Sequence, residues 1–267
     1  MNTLNPFSAV NLGGDAVFRG VTLAVPKERV EALLPPGLAL GPQNVTPAGT
    51  HPVIASFNQL NHAQMSVPSL MPVLNYYEYT LGIPYSYIAR GGLNRNSPGP
   101  YYYMPRLFLD SMLAVIGGVA FWGFRKVPAT FQVDDDSFAI RGDGGQALTS
   151  LSWKTSGAFT PVGSYANFEP IRRMLDQRLL SQLPPLGGPI FVVSDFDRRW
   201  DAATLRPLET SITIDEDFVP GIKSFATCTT GRGTTSPGID KSVLGSYELV
   251  APWRLSFPYL PIMREWA

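Results

Sequence analysis

Lys126 closes the most apolar run of the sequence, residues 103–128, which reads YMPRLFLDSMLAVIGGVAFWGFRKVP. Its neighbours along the chain include Trp122, Phe124 and Val127. An ammonium in an apolar setting loses hydration, and this lowers a lysine from its ordinary pKa of ~10.4. A lysine brought to ~7–8 has a useful fraction of free amine at neutral pH. Such an amine attacks a ketone or aldehyde to form a Schiff base, and the protonated imine then withdraws electrons from the neighbouring carbon. The competing reading is a strand-end lysine whose stem lies on apolar surface while its head reaches water. The pattern by itself leaves both open.

Other chemistries find little support. The two histidines, His51 and His62, stand in no metal-binding spacing with each other or with Cys228, the single cysteine, so no metal site is expected. The run Asp134–Asp136 reads as a solvated turn. No phosphate loop, dinucleotide-binding glycine motif or GxSxG elbow is present. Arg141-Gly142-Asp143 lies where a hairpin turn is expected. Lys+Arg and Asp+Glu are both 21, so the basic surplus that nucleic-acid binding needs is missing. The apolar run 112–124 is shorter than the ~18–20 residues that span a bilayer. The first residues lack the basic and apolar regions of a signal peptide. A cytoplasmic protein without nucleic-acid or membrane partners is therefore expected.

The elements that must position Lys126 follow from periodicity and from glycine and proline, 25 of each spread over the chain, which implies many short elements. Strands are expected at 16–25, 51–60, 75–88, 119–125, 129–133, 137–141, 147–153, 190–194, 208–214, 223–229 and 246–250. Residues 61–71 read as a loop. A short helix follows Pro26, and a second is expected over 111–116 with Asp110 as N-cap and Gly117-Gly118 as stop. A third is expected over 167–183, with Ile171, Leu175, Leu179 and Leu183 along one face. No repeat or linker breaks the chain, so one domain over 1–267 is expected, of α+β class with a mostly antiparallel sheet or barrel. On the strand 75–88, Glu78 shares a face with Tyr76 and Thr80.

From Leu34 to Pro128 the sequence resembles the acetoacetate decarboxylase-like family. The matching pieces are Leu33-Leu34-Pro35-Pro36-Gly37-Leu38, Tyr77-Glu78-Tyr79, residues 107–110, and the segment GVAFWGFRKV at 118–127, which is similar to the family's GREx-aromatic-GFPKK. The resemblance implies a mostly antiparallel, cone-like β-barrel with a few flanking helices, assembled as a homo-oligomer and needing no cofactor. It also implies a Schiff-base lysine, at Lys126, and an acid facing the substrate, at Glu78. Acetoacetate decarboxylase is itself a known case of a lysine activated by its surroundings. Arg19 loosely matches an arginine that holds the substrate carboxylate. Asn58 stands where the family has a second glutamate. Tyr76, Tyr101, Tyr103, Trp122 and Phe124 are expected to line the pocket.

The sequence departs from the family at Val127, where a second lysine is usual, at Val119-Ala120 in place of an arginine–glutamate pair, and at Arg125 in place of a proline. The expectation is therefore a Schiff-base lyase acting on a small or aromatic oxo acid. The alternatives are an aldolase-dehydratase, a biosynthetic cyclase or dehydratase using the same pocket, and a binding protein without chemistry.

Overall fold

The computed structural model describes residues 10–67, 72–89, 99–141, 145, 147–165, 168–183, 190–214, 228–229 and 245–259. The elements in chain order are β1 (Asn11–Pro26), α1 (Lys27–Glu31), β2 (Leu38–Leu40), β3 (Thr50–Met65), β4 (Leu74–Ile88), β5 (Tyr101–Tyr103), β6 (Leu107–Leu109), α2 (Met112–Trp122), β7 (Lys126–Pro128), β8 (Thr130–Val133), β9 (Ser137–Arg141) and β10 (Ala147–Thr155). They continue with β11 (Thr160–Pro161), α3 (Glu169–Leu175), β12 (Arg178–Leu183), β13 (Ile190–Ser194), β14 (Phe196–Asp197), β15 (Thr204–Ile214), β16 (Cys228–Thr229) and β17 (Ser246–Ser256). Most of the expected strand at 223–229, and three of the four residues of the expected hairpin turn at 142–145, fall outside the described residues.

The fold is strand-rich α+β with few helices. One ladder runs β7–β6–β4–β3–β1–β17–β15–β10–β9–β8, antiparallel except between β6 and β7. Its two end strands, β7 and β8, are separated in the chain by Ala129 alone, yet among the described residues no ladder joins them. The sheet is therefore curled but not closed into a ring. The far half of β4 also pairs β2 and β5, and β5 leads on to β12 and β13. Among the described residues, no helix is long and apolar enough to cross a membrane.

The two faces of the curled sheet bury two apolar clusters. One is built around Phe57, Tyr79 and Phe138, with ring centroids 4.7 and 4.8 Å apart about Phe57. The other holds Phe18, Tyr102, Leu107, Trp122, Phe124 and Trp253, with α3 packed against it. The second cluster surrounds the site described below.

Three expected elements are corrected by the structure. Residues 119–125 are not a strand: α2 runs through Gly117-Gly118 to Trp122 and ends at Gly123, whose φ of 67° suits a glycine helix stop. Its N-cap is Ser111, whose Oγ accepts the Ala114 N–H at 3.3 Å. Asp110 instead accepts the Tyr77 N–H at 2.8 Å. Residues 167–183 are not one helix but α3 followed by β12. A spacing of four residues returns to the same face in a helix and in a strand alike, so the 171/175/179/183 pattern did not distinguish them. Finally, 61–65 continues β3 instead of looping, because a register shift between Leu60 and Ala63, with His62 at φ 52°, keeps it paired.

Candidate active site

The floor of the site is set by register. Across β4, β3, β1 and β17 the sheet aligns Tyr76 with Leu60, Ala16 and Ala251; Glu78 with Asn58, Phe18 and Leu249; and Thr80 with Ser56, Gly20 and Tyr247. Alternation along each strand sends these rows to one face and Tyr77 and Tyr79 to the other core. Glu78 is thus planted mid-sheet on a rigid strand, 8% exposed.

Lys126 arrives from the side. After α2 the Gly123 turn reverses the chain, with the Phe124 N–H donating to the Gly118 carbonyl at 3.2 Å. β7 then pairs Lys126 with Leu107. The lysine stem lies over Gly118: a Cβ built there would stand 2.3 Å from Cδ and 2.4 Å from Cε of Lys126. The absent side chain at Gly118 is the space the lysine uses. Lys126 Nζ reaches Glu78 Oε2 at 3.3 Å, the two side chains 8% and 11% exposed, and lies 5.7 Å from the Tyr76 ring centroid.

The cavity has two lobes. The first is lined by Lys126, Tyr76, Phe124, Trp253 and Leu255. The second is lined by Asn58, Thr80, Tyr102, Arg198 and Tyr247. Phe18, Glu78, Met104, Leu179 and Phe196 border both and form the neck between them. Trp122 borders a smaller recess behind the lysine and is held by its indole N–H, which donates to the Ser256 carbonyl at 2.8 Å.

Of the residues singled out from sequence, the structure brings Lys126, Glu78, Tyr76, Phe124, Trp122 and Asn58 to this cavity or its immediate wall. It places Arg19 elsewhere. Arg19 neighbours Phe18 on β1 and so takes the opposite face, where it pairs with Glu248 at 2.9 Å and stacks 4.5 Å over Trp153. Arg206 binds the same carboxylate. Tyr101 and Tyr103 belong to the other core, and it is Tyr102, between them, that meets the cavity. Arg125 is exposed and donates to Gln182 at 3.1 Å, away from Lys126.

Sequence reasoning missed Arg198, Tyr102, Tyr247 and Trp253. Alternation on the tyrosine run 101–103 offered a signal for Tyr102. For Arg198 there was none, since nothing in Arg198-Arg199 says which arginine is buried. Arg198 is 7% exposed, donates to the Leu175 carbonyl and lies 4.3 Å over the Phe196 ring. Burial pulls its guanidinium down to about 10, so it stays charged at neutral pH. Burial also pushes the phenols of Tyr76, Tyr102 and Tyr247 well above their ordinary value, leaving them neutral. Among the described residues, the other ionisable side chains on the two lobes are Lys126, Arg198 and Glu78. Two basic groups against one carboxyl suit an anionic ligand. Among the described residues no group of three or more histidine, cysteine or acidic side chains is placed to hold a metal ion.

The acetoacetate decarboxylase (ADC) family model matches residues 10–184. The chain belongs to the acetoacetate decarboxylase family. No curated protein matches the sequence. Among solved structures, the acetoacetate decarboxylase of Legionella pneumophila superposes with a TM-score of 0.61 at 12% identity, covering 95% of this chain and 87% of that one. The enduracididine biosynthesis enzyme MppR in complex with pyruvate gives 0.56 at 14%, covering 94% and 90%. An acetoacetate decarboxylase-like enzyme from Sphingomonas wittichii RW1 gives 0.54 at 14%, covering 97% of each chain. At these identities the likeness is one of fold. One of these structural neighbours, MppR, was solved with pyruvate bound.

Proposed function

We propose that this protein is a Schiff-base lyase acting on an oxo acid, with Lys126 as nucleophile and Glu78 as the proton-transfer group. The observation that carries the reading is the 3.3 Å contact between Lys126 Nζ and Glu78 Oε2 in a buried, mostly apolar cavity. In the proposed step the ammonium gives one proton to Glu78, and the freed lone pair attacks the substrate carbonyl carbon. The carbonyl oxygen takes one proton from the nitrogen and the one held by Glu78, and leaves as water. An iminium remains, and Glu78 is again a carboxylate. A β-keto acid bound this way releases carbon dioxide, the electrons of the broken C–C bond passing into the iminium to give an enamine. An α-oxo acid instead loses a proton from its β-carbon to Glu78, and the resulting enamine attacks an aldehyde, after which water is lost.

The second course, that of an aldolase-dehydratase, is favoured by the continuation of the cavity past Glu78. It also accords with the MppR structure that holds the condensation product of pyruvate and imidazole 4-carboxaldehyde. To test the lysine, the protein is incubated with acetoacetate, pyruvate and an aromatic aldehyde, reduced with borohydride and mapped by peptide mass. An adduct on the Lys126 peptide is expected. No adduct with any of the three sinks the reading and leaves a cyclase without an imine, or a binding protein.

We read the chain as one domain over 1–267, cytoplasmic, with the curled sheet as the family's cone opened between β7 and β8. We also read it as a homo-oligomer. The outer face of α2 exposes Met112, Leu113 and Ile116, each more than half accessible, and the helix carries no charge at all. Such a stripe suits burial against a second copy. Ile116→Glu is expected to lower the mass measured by light scattering to that of one chain. A monomeric wild type, or an unchanged mass in the variant, would refute this role.

A further inference from the structure

Among the described residues, Arg198 is the one buried cation on the cavity that the proposed chemistry does not use. It enters from the turn after β14, not from the sheet. That turn is fixed by the Arg199 N–H donating to Asp197 Oδ1 at 2.9 Å, the Ala202 N–H donating to the Arg199 carbonyl at 2.9 Å, and the Trp200 indole donating to Asp176 at 2.5 Å. Among the described residues no carboxylate lies within ion-pair distance of its guanidinium. Asp176 and Asp197, whose charges act on it from beyond that distance, are both exposed. Aromatic rings at Phe18 and Phe196 flank it on the neck side, at 5.8 and 4.3 Å. A buried arginine held this way is a ready site for a planar, bidentate anion.

We propose that Arg198 anchors the substrate carboxylate, and that the substrate is an extended oxo acid with its carbonyl and carboxylate at opposite ends of an apolar or aromatic body. Resting on the reading of Lys126 as nucleophile, this adds the substrate class. Lys126 borders only the first lobe and Arg198 only the second, with Glu78 and the apolar neck between them. A substrate that meets both cations therefore places its carbonyl in one lobe and its carboxylate in the other, with its body in the apolar neck between them. A carboxylate held at Arg198 is also not the one to be lost, so for such a substrate the carbon–carbon bond chemistry takes place at the Lys126 end.

The test uses 4-formylcinnamate and its methyl ester as borohydride-trapping probes, with glyoxylate as a short comparison. The wild type is expected to trap the acid at least about tenfold faster than the ester, and faster than glyoxylate, as expected for a charge-assisted contact. In Arg198→Gln the acid-to-ester ratio should fall toward one, and in Arg198→Lys it should lie between. A ratio near one in the wild type, a ratio unchanged in Arg198→Gln, or glyoxylate trapped as well as the long acid would overturn the proposal. Since Arg198 also holds the Leu175 carbonyl, the comparisons within the wild type stand even if the variants fail to fold. Calorimetric titration with cinnamate and cinnamamide, which have no reactive carbonyl, separates the two claims. Cinnamate preferred by wild type, with no adduct from any aldehyde, would retain Arg198 and reject Lys126. Adducts without any preference for the acid would do the reverse.

Discussion

Glu78→Gln is expected to lower turnover of the best substrate of the trapping panel about 10²–10⁴-fold, the usual span for a lost general acid–base group. Glutamine keeps the shape of the side chain and accepts a hydrogen bond from Lys126 Nζ across the same gap, 3.3 Å in the wild type. It does not take a proton from the amine or return one to the departing oxygen. Nor does it remove the proton that turns the iminium into an enamine. Lys126→Ala, in contrast, is expected to abolish the borohydride adduct altogether. The pair of variants therefore separates the two roles: no adduct without the lysine, and an adduct that forms slowly and turns over poorly in the absence of the carboxylate. Rapid-quench measurement of the two steps reads the difference. Wild-type turnover in Glu78→Gln would remove Glu78 from the mechanism, and an adduct in Lys126→Ala would place the nucleophile elsewhere. Both side chains are buried, so each single change leaves a partner without its counter-charge, at a cost of up to about 3–5 kcal/mol for a fully buried pair. Thermal melts are needed alongside, and the cavity between the lobes makes that figure an upper bound.

Gly118→Ala should cost about 10²-fold in activity without lowering stability, although residue 118 has no side chain to offer a substrate. The added Cβ would meet Lys126 Cδ, Cε and Nζ at 2.3, 2.4 and 2.9 Å. These atoms belong to the far end of a flexible chain, so the lysine shifts and the helix does not. A misplacement of the reacting amine by ~1 Å is enough for a loss of that size. Meanwhile, alanine in place of glycine within α2 favours the helix by up to ~1 kcal/mol. The signature is an equal or higher melting temperature together with a slow enzyme. If trapping and turnover match the wild type, the lysine is not confined by this contact. If instead the melting temperature falls sharply, the glycine serves packing and not the amine.

Much of the candidate site was readable because two of its parts obey local rules. The shared face of Glu78 and Tyr76 follows from alternation along a long strand, and Lys126 was singled out because it ends Gly123-Phe124-Arg125-Lys126, which resembles the family motif. The approach of the lysine was misread, however. An all-apolar run carries no amphipathic period, so α2 and a buried strand look alike over 119–125. Gly117-Gly118 appeared as a helix stop, where the structure uses glycine for close packing. Arg19 and Arg198 illustrate the other limit. Arg19 sits in the first strand but faces Glu248, and Arg198 comes from a turn remote in sequence. Which arginine meets a cavity is decided by tertiary placement, and one chain has no local pattern that records it. The same holds for α3 and β12, where a four-residue spacing fits either conformation.

The far wall of the cavity rests on two absences. The Tyr247 ring lies where a side chain at Gly20 would be, 2.5 Å from a Cβ built there, and the Tyr102 hydroxyl lies 1.8 Å from one built at Gly82. Both rings border the Arg198 lobe, so its depth is set by side chains seated on bare backbone and not by the sheet itself. Depth and reactivity are consequently separable traits in this molecule. Shortening a plug enlarges the chamber by the volume of one ring while the amine, its carboxylate and the strands that carry them stay as they were. Single replacements among these tyrosines would thus change the length of ligand that the chamber admits while leaving the Lys126–Glu78 pair in place.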